Sequence, residues 1–184
     1  MTREQAIELL HNYVKNEKML LHCYASEVVM KALAQKLGED EGKWGIAGLL
    51  HDLDVEVTNA DAYTHGLETE NLLKGFDVDP EIIDAIRHHN EVATGVERNT
   101  KFQHALAAGE TITGLIFATT YVYPDRKLTS VKPKSVVKRM KEKAFAASVK
   151  RENILECEKI GIPIDEFAAL AISAMLPIRE QLDL

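Results

Sequence analysis

The adjacent pair His51-Asp52 closes the apolar run Ile46-Ala47-Gly48-Leu49-Leu50. Neighbouring side chains on a helix diverge by about 100°, so they normally serve different surroundings. At a helix end they can converge on one ion, an imidazole nitrogen from one side and a carboxylate oxygen from the other. Further groups of the same chemistry lie nearby in sequence. His22 sits in Leu20-Leu21-His22-Cys23-Tyr24, His65 precedes Gly66, His88 and His89 stand together, and Glu110 follows Ala107-Ala108-Gly109. A carboxylate such as Glu110 on an otherwise apolar helix is costly to bury unless a partner neutralises it. A divalent cation is one such partner, and the small residues beside Glu110 would permit close helix approach.

The elements that must position these groups read as helices almost throughout. Thr2 and Gln5 form a capping box for a first helix that buries Ile7, Leu10 and the Tyr13-Val14 end. A second helix, about 18–37, carries His22 and stops at Gly38. A third, about 41–52, delivers His51-Asp52 at its C-terminal end. The next is expected near 63–74, with His65 at its start and Gly75 at its end. Asp79-Pro80 is an N-cap followed by proline at the first helical position, and that helix ends at His88-His89-Asn90. A long apolar helix over about 102–122 carries Glu110 and is closed by Pro124. Lys132-Pro133 opens another that should reach Ala147, and a helical pair, about 151–160 and 165–181, forms the tail. Tyr121-Val122-Tyr123 could extend as a strand, but no partner strand is visible. The expectation is an all-α, single-domain chain over residues 1–184.

Composition narrows the class. Hydrophobic residues make up 46% and charged residues 28%, which suits a globular domain and argues against disorder. The first twenty residues are too charged for a signal peptide, and no apolar run reaches the roughly 20 residues that cross a bilayer. Cys23 and Cys157 provide neither a disulfide framework nor zinc-type spacing, so a cytoplasmic location is expected. Between Arg126 and Arg151 lie ten basic residues and one acid, in a chain whose net charge is −7. General nucleic-acid binding is not expected, because that segment has one aromatic, Phe145, and no aromatic-basic interleaving.

The ordered set His22, His51-Asp52, His65, His88-His89 and Glu110 resembles the HD-domain superfamily of metal-dependent phosphohydrolases, over about residues 18–120. The resemblance implies an HD-fold helical bundle, with additional C-terminal helices forming a basic extension over about 124–184. It implies His22 as the first ligand, His51-Asp52 as the signature pair, and His65 and His88, with or without His89, as ligands of a second metal. Glu110 stands where the family usually has aspartate, one methylene longer. Of the adjacent pair, His88 is the preferred ligand; if His89 is not a ligand, it is the natural proton donor to the leaving oxygen. His11 and His104 are expected to stay outside the ligand set, and Asp54 is read as a solvated surface acid.

Mixed imidazole and carboxylate ligands favour manganese, iron, cobalt, nickel or zinc over magnesium or calcium. Two such ions against Asp52 and Glu110 would leave the centre positive by about two charges and attract phosphate. Asp52 would bridge them, and a water activated by both would attack phosphorus as hydroxide. The expected reaction is hydrolysis of a phosphomonoester, or of a phosphodiester or pyrophosphate link, in a nucleotide or other small phosphorylated metabolite. Lys134, Lys138 and Lys141 fall along one helical stripe that could clamp a second phosphate; a solvated face balancing an acidic body is the alternative. The same ligands would also suit a di-iron oxygenase that cleaves a carbon bond with O₂, or a non-catalytic metal- or nucleotide-binding module. An oligomer is possible through the apolar stretch Phe167–Ile172.

Overall fold

In the computed structural model, which describes residues 1–184, Thr2 and Gln5 cap each other to start α1 (Arg3–Tyr13). Asn16 accepts the amides of Lys18 and Met19 to start α2 (Glu17–Leu37), which ends at Gly38 with a left-handed φ of 72°. Asp40 caps α3 (Glu41–Leu50), and residues 51–66 then run as successive turns. α4 (Leu67–Leu72) is followed by α5 (Pro80–His89), whose N-cap Asp79 accepts the Glu81 amide. A single turn, α6 (Glu91–Thr94), leads to α7 (Lys101–Tyr121), opened by a second capping box between Thr100 and Gln103. α8 (Pro133–Met140), α9 (Arg151–Leu155) and α10 (Ile164–Met175) complete an all-α single domain without strands.

Several helices are shorter than their sequence pattern suggests. Gly66 adopts φ 90°, which cannot continue a right-handed helix, so α4 begins only at Leu67 and His65 lies in the preceding turn. α8 stops at Met140 instead of reaching Ala147, and residues 141–149 form turns that include Ala146 at φ 45°. The tail tightens into 3₁₀ turns at Glu156–Ile160 and at Leu176–Ile178, the second containing Pro177. Tyr121 ends α7, and no strand forms there. No single helix is long and apolar enough to cross a membrane.

α2 is packed by α3, α7 and α10. Two glycines set how closely its neighbours approach. A Cβ on Gly48 of α3 would lie 2.6 Å from the Ser26 carbonyl oxygen, and one on Gly109 of α7 would lie 2.7 Å from Met30 Sδ. Both contacts fall one or two turns along α2 from His22, so the close packing draws the ligand-bearing parts of three helices together. Trp44 on α3 stacks on Phe102 of α7, rings 5.0 Å apart and 5° from parallel, and belongs to the core.

Gly48→Ala should lower the melting temperature, because its clash is with backbone that cannot rotate away. Such overpacking costs about 1–3 kcal/mol, against the roughly 1 kcal/mol that alanine gains over glycine in a helix. Gly109→Ala meets a thioether that can shift and should be closer to neutral in the same thermal-unfolding measurement.

Candidate metal centre

Five side chains from four segments converge beside α2. His22 Nε2 lies 3.0 Å from His51 Nε2, and these nitrogens lie 3.5 and 3.4 Å from Asp52 Oδ2. On the other side of the same carboxylate, His65 Nε2 and His89 Nε2 lie 3.0 Å apart, at 3.0 and 3.7 Å from Asp52 Oδ1. Each oxygen of Asp52 therefore faces its own pair of imidazole nitrogens. The result is two three-residue sets with metal-ligand spacing, His22-His51-Asp52 and Asp52-His65-His89.

The far nitrogen of every ring is tethered. His51 Nδ1 donates to the Gly48 carbonyl at 2.8 Å, and His89 Nδ1 donates to the Ile86 carbonyl. His65 Nδ1 donates to Asp54 Oδ1 at 2.7 Å. His22 Nδ1 lies 2.8 Å from Thr113 Oγ1, whose own proton goes to the Glu110 carbonyl, so the hydroxyl must accept from the ring. With Nδ1 protonated, each neutral ring presents an Nε2 lone pair to the cluster. Two such lone pairs 3.0 Å apart repel unless a proton or a cation lies between them. The donor set therefore fits a divalent cation held by nitrogen and oxygen.

The surroundings disfavour charge on His22, His89 and Glu110 but favour it on Asp52 and His65. Burial, reinforced by neighbouring imidazoles, pushes His22 down to about 4 and His89 down to about 3. Burial also opposes charge on His65, but its hydrogen bonds to Asp52 and Asp54 outweigh that and lift it to about 10. The Asp52 carboxyl is held well below its usual range: burial disfavours its charge, and the imidazoles around it more than compensate. Burial pushes Glu110 up to about 8, against a hydrogen bond from the Thr111 hydroxyl and with the Asp52 charge adding to the rise.

Glu110 Oε2 comes within 3.8 Å of His22 Nε2, at the edge of the first set. His88 is not brought to the centre. One residue further along α5 the side chain turns by about 100°, so His88 Nδ1 donates to the Asp84 carbonyl at 2.9 Å while His89 points inward. The preference for His88 is thus reversed, and with both ring nitrogens engaged His89 has no free proton for a leaving group. Lys134, Lys138 and Lys141 are exposed and line no part of the cleft over the cluster; they form a solvated face. Asp54 is not a surface acid. It is fully buried and accepts from His65, from the Gly66 amide at 2.7 Å and from the Thr69 amide at 3.1 Å. His104 stays outside, on Glu156, and His11 meets the Tyr24 hydroxyl.

Two residues that the sequence pattern did not single out hold the frame. The Asn90 amide donates to the carbonyls of Ala62 and His65, fixing the turn that carries His65. The buried Arg98 guanidinium donates to the carbonyls of His88 and His89, each at 2.9 Å, satisfying the free end of α5. It also reaches Glu156 Oε2 at 2.8 Å and Asn153 Oδ1 at 3.0 Å, tying α5 to the C-terminal segment. A carboxylate spaced two residues after the His-Asp pair, and an Asn directly after His-His, were the only sequence signals for this frame.

The cluster opens into a cleft of about 420 Å³. A second cleft of about 380 Å³ surrounds Glu27, but Arg3 and Lys31 already neutralise that carboxylate.

A model of the HD domain family matches residues 19–117, more than half of the chain and including every member of the cluster. Neither a curated protein nor a solved structure matches the chain significantly.

Calorimetric titration with manganese should separate the roles. Asp54→Asn removes the carboxylate behind His65 and is expected to weaken binding about 10–100-fold, the usual cost of losing such a support. His89→Ala should lose affinity and His88→Ala should leave it unchanged.

Proposed function

The chain belongs to the HD domain family, and on that premise we propose that it is a metal-dependent phosphohydrolase acting on a nucleotide or other small phosphorylated metabolite. The observation that carries this reading is the Asp52 carboxylate, with one oxygen toward His22 and His51 and the other toward His65 and His89. Such a set would hold two divalent ions, of manganese, iron, cobalt, nickel or zinc, with Asp52 between them and Glu110 beside the first. When bound, the ions supply Lewis acidity and an activated water at neutral pH.

The chain's own residues have the remaining tasks. The Nδ1 tethers fix the four rings before substrate arrives, so no reorganisation accompanies the reaction. Asp52 stays ionised and keeps the two halves of the site at a fixed spacing. The attacking water gives up a proton to solvent, and its oxygen bonds to phosphorus as the ester P–O bond breaks. The departing oxygen takes a proton from water in the open cleft. From a phosphomonoester it leaves as an alcohol with inorganic phosphate as the other product, and a phosphodiester or pyrophosphate link would divide in the same way into two phosphorylated or hydroxyl-bearing parts.

Four imidazoles against one shared carboxylate also suit iron, which favours a second reading as a di-iron oxygenase. Metal dependence and gas consumption distinguish the two. Protein loaded with manganese or cobalt under argon should release phosphate from a panel of nucleotides, sugar phosphates and simple phosphate esters, and Asp52→Asn should lower kcat/KM more than ~100-fold. No release with any metal, together with oxygen uptake by the iron-loaded protein, would replace the hydrolase with the oxygenase.

A further inference from the structure

One wall of the cleft comes from beyond the residues that match the family. Ser148, Val149, Lys150 and Asn153 line the cleft, together with Ala60 and Ala62 from the turns after α3. Although residues 141–149 form no helix, the wall is held firmly. The Arg151 guanidinium donates to the carbonyls of Ala146 at 2.6 Å and Val149 at 2.7 Å, and also to that of Phe145. Arg139 lies over the Phe145 ring, 4.3 Å from its centroid. Val149 reaches α7 at Gly114, where an added Cβ would already be in contact with it at 3.4 Å.

The chemistry left free on the cleft surface is narrow. Asn90 is committed to the turn that carries His65, Asn153 to Arg98 through its oxygen and to Thr111 through its amide, and the Thr111 hydroxyl to Glu110. That leaves Ser148 and Lys150 as the polar side chains outside the metal cluster with donors to offer a ligand. Lys150 is the one lysine or arginine on the cleft. The acids there, Asp52 and Glu110, face imidazoles instead of pairing with it. No phenylalanine, tyrosine or tryptophan lines the cleft, so it has no platform on which a nucleobase could stack.

We propose that Lys150 and Ser148 form an anion-binding subsite in the cleft beside the metal cluster, so that the substrate is a small, non-aromatic phosphate ester bearing a second anionic group. This rests on the hydrolase reading for the phosphate that reacts and adds the group that is recognised. The second anion, carboxylate or phosphate, takes a charge-assisted hydrogen bond from the Lys150 ammonium and a further one from the Ser148 hydroxyl.

Phosphoglycerate and glycerol phosphate share a carbon skeleton and differ by one carboxylate, which makes them direct probes; fructose bisphosphate supplies a second phosphate and AMP an aromatic base. Calorimetry on manganese-loaded protein should show phosphoglycerate and fructose bisphosphate binding about tenfold more tightly than glycerol phosphate. That preference should collapse in Lys150→Ala and survive in Lys150→Arg, and phosphate-release assays should place the change in KM rather than kcat. Equal binding of phosphoglycerate and glycerol phosphate, an unchanged preference in Lys150→Ala, or tightest binding of AMP would overturn the subsite. Because binding is read apart from turnover, a Lys150-dependent preference with no phosphate released from any probe would uphold the subsite and remove the hydrolase reading instead.

Discussion

A carboxylate in a nearly dry site keeps its charge only if positive charge or hydrogen-bond donors answer it. Asp52 has both oxygens committed to four imidazoles and to nothing else. Those imidazoles cannot all be protonated at once, since burial and mutual repulsion hold His22 and His89 neutral. Without an ion His65 is the ring pushed toward its protonated form, and the lone pairs that His22 and His89 keep beside the buried negative charge have a cation as their natural counterpart. The rest of the fold can be understood as what keeps those lone pairs aimed inward.

That aim is set from outside the cluster. A backbone carbonyl, a buried carboxylate or a hydroxyl takes the Nδ1 proton of each ring, so tautomer and orientation are fixed together. Gly48 serves twice, since its lack of a side chain lets α3 close on α2 and its carbonyl holds His51. Gly66 is comparable: its φ of 90° turns the chain after His65, and a Cβ there would sit 3.1 Å from the His89 ring. Arg98 then links this frame to α9, so the segment beyond the family match is structurally continuous with the centre that it covers.

How much of this the sequence disclosed depends on the range of the interaction. The helical frame was legible from caps and periodicity, as at Thr2-Gln5, Asn16-to-Gly38 and Asp79-Pro80. The convergence of His22, His51, Asp52 and His65 followed from their order along the helices and their family resemblance. The choice between His88 and His89 did not, because it turns on one residue of helical phase at a terminus that tertiary contacts with Arg98 determine. Asp54 looked like a loop acid, since nothing local reveals that two amides and an imidazole will surround it. The stripe of lysines on α8 and at its C-terminal cap drew attention by periodicity, whereas Lys150 reaches the cleft through irregular turns organised by Arg151, and irregular backbone has no period to read.

The most direct test of the shared carboxylate is electron paramagnetic resonance of the protein titrated with manganese to saturation. Two ions joined through Asp52 should give an exchange-coupled, many-line spectrum that replaces the six-line signal of isolated manganese as loading passes one ion per chain. A six-line spectrum persisting at saturation, or saturation at a single ion, would contradict an Asp52 that serves both halves of the site.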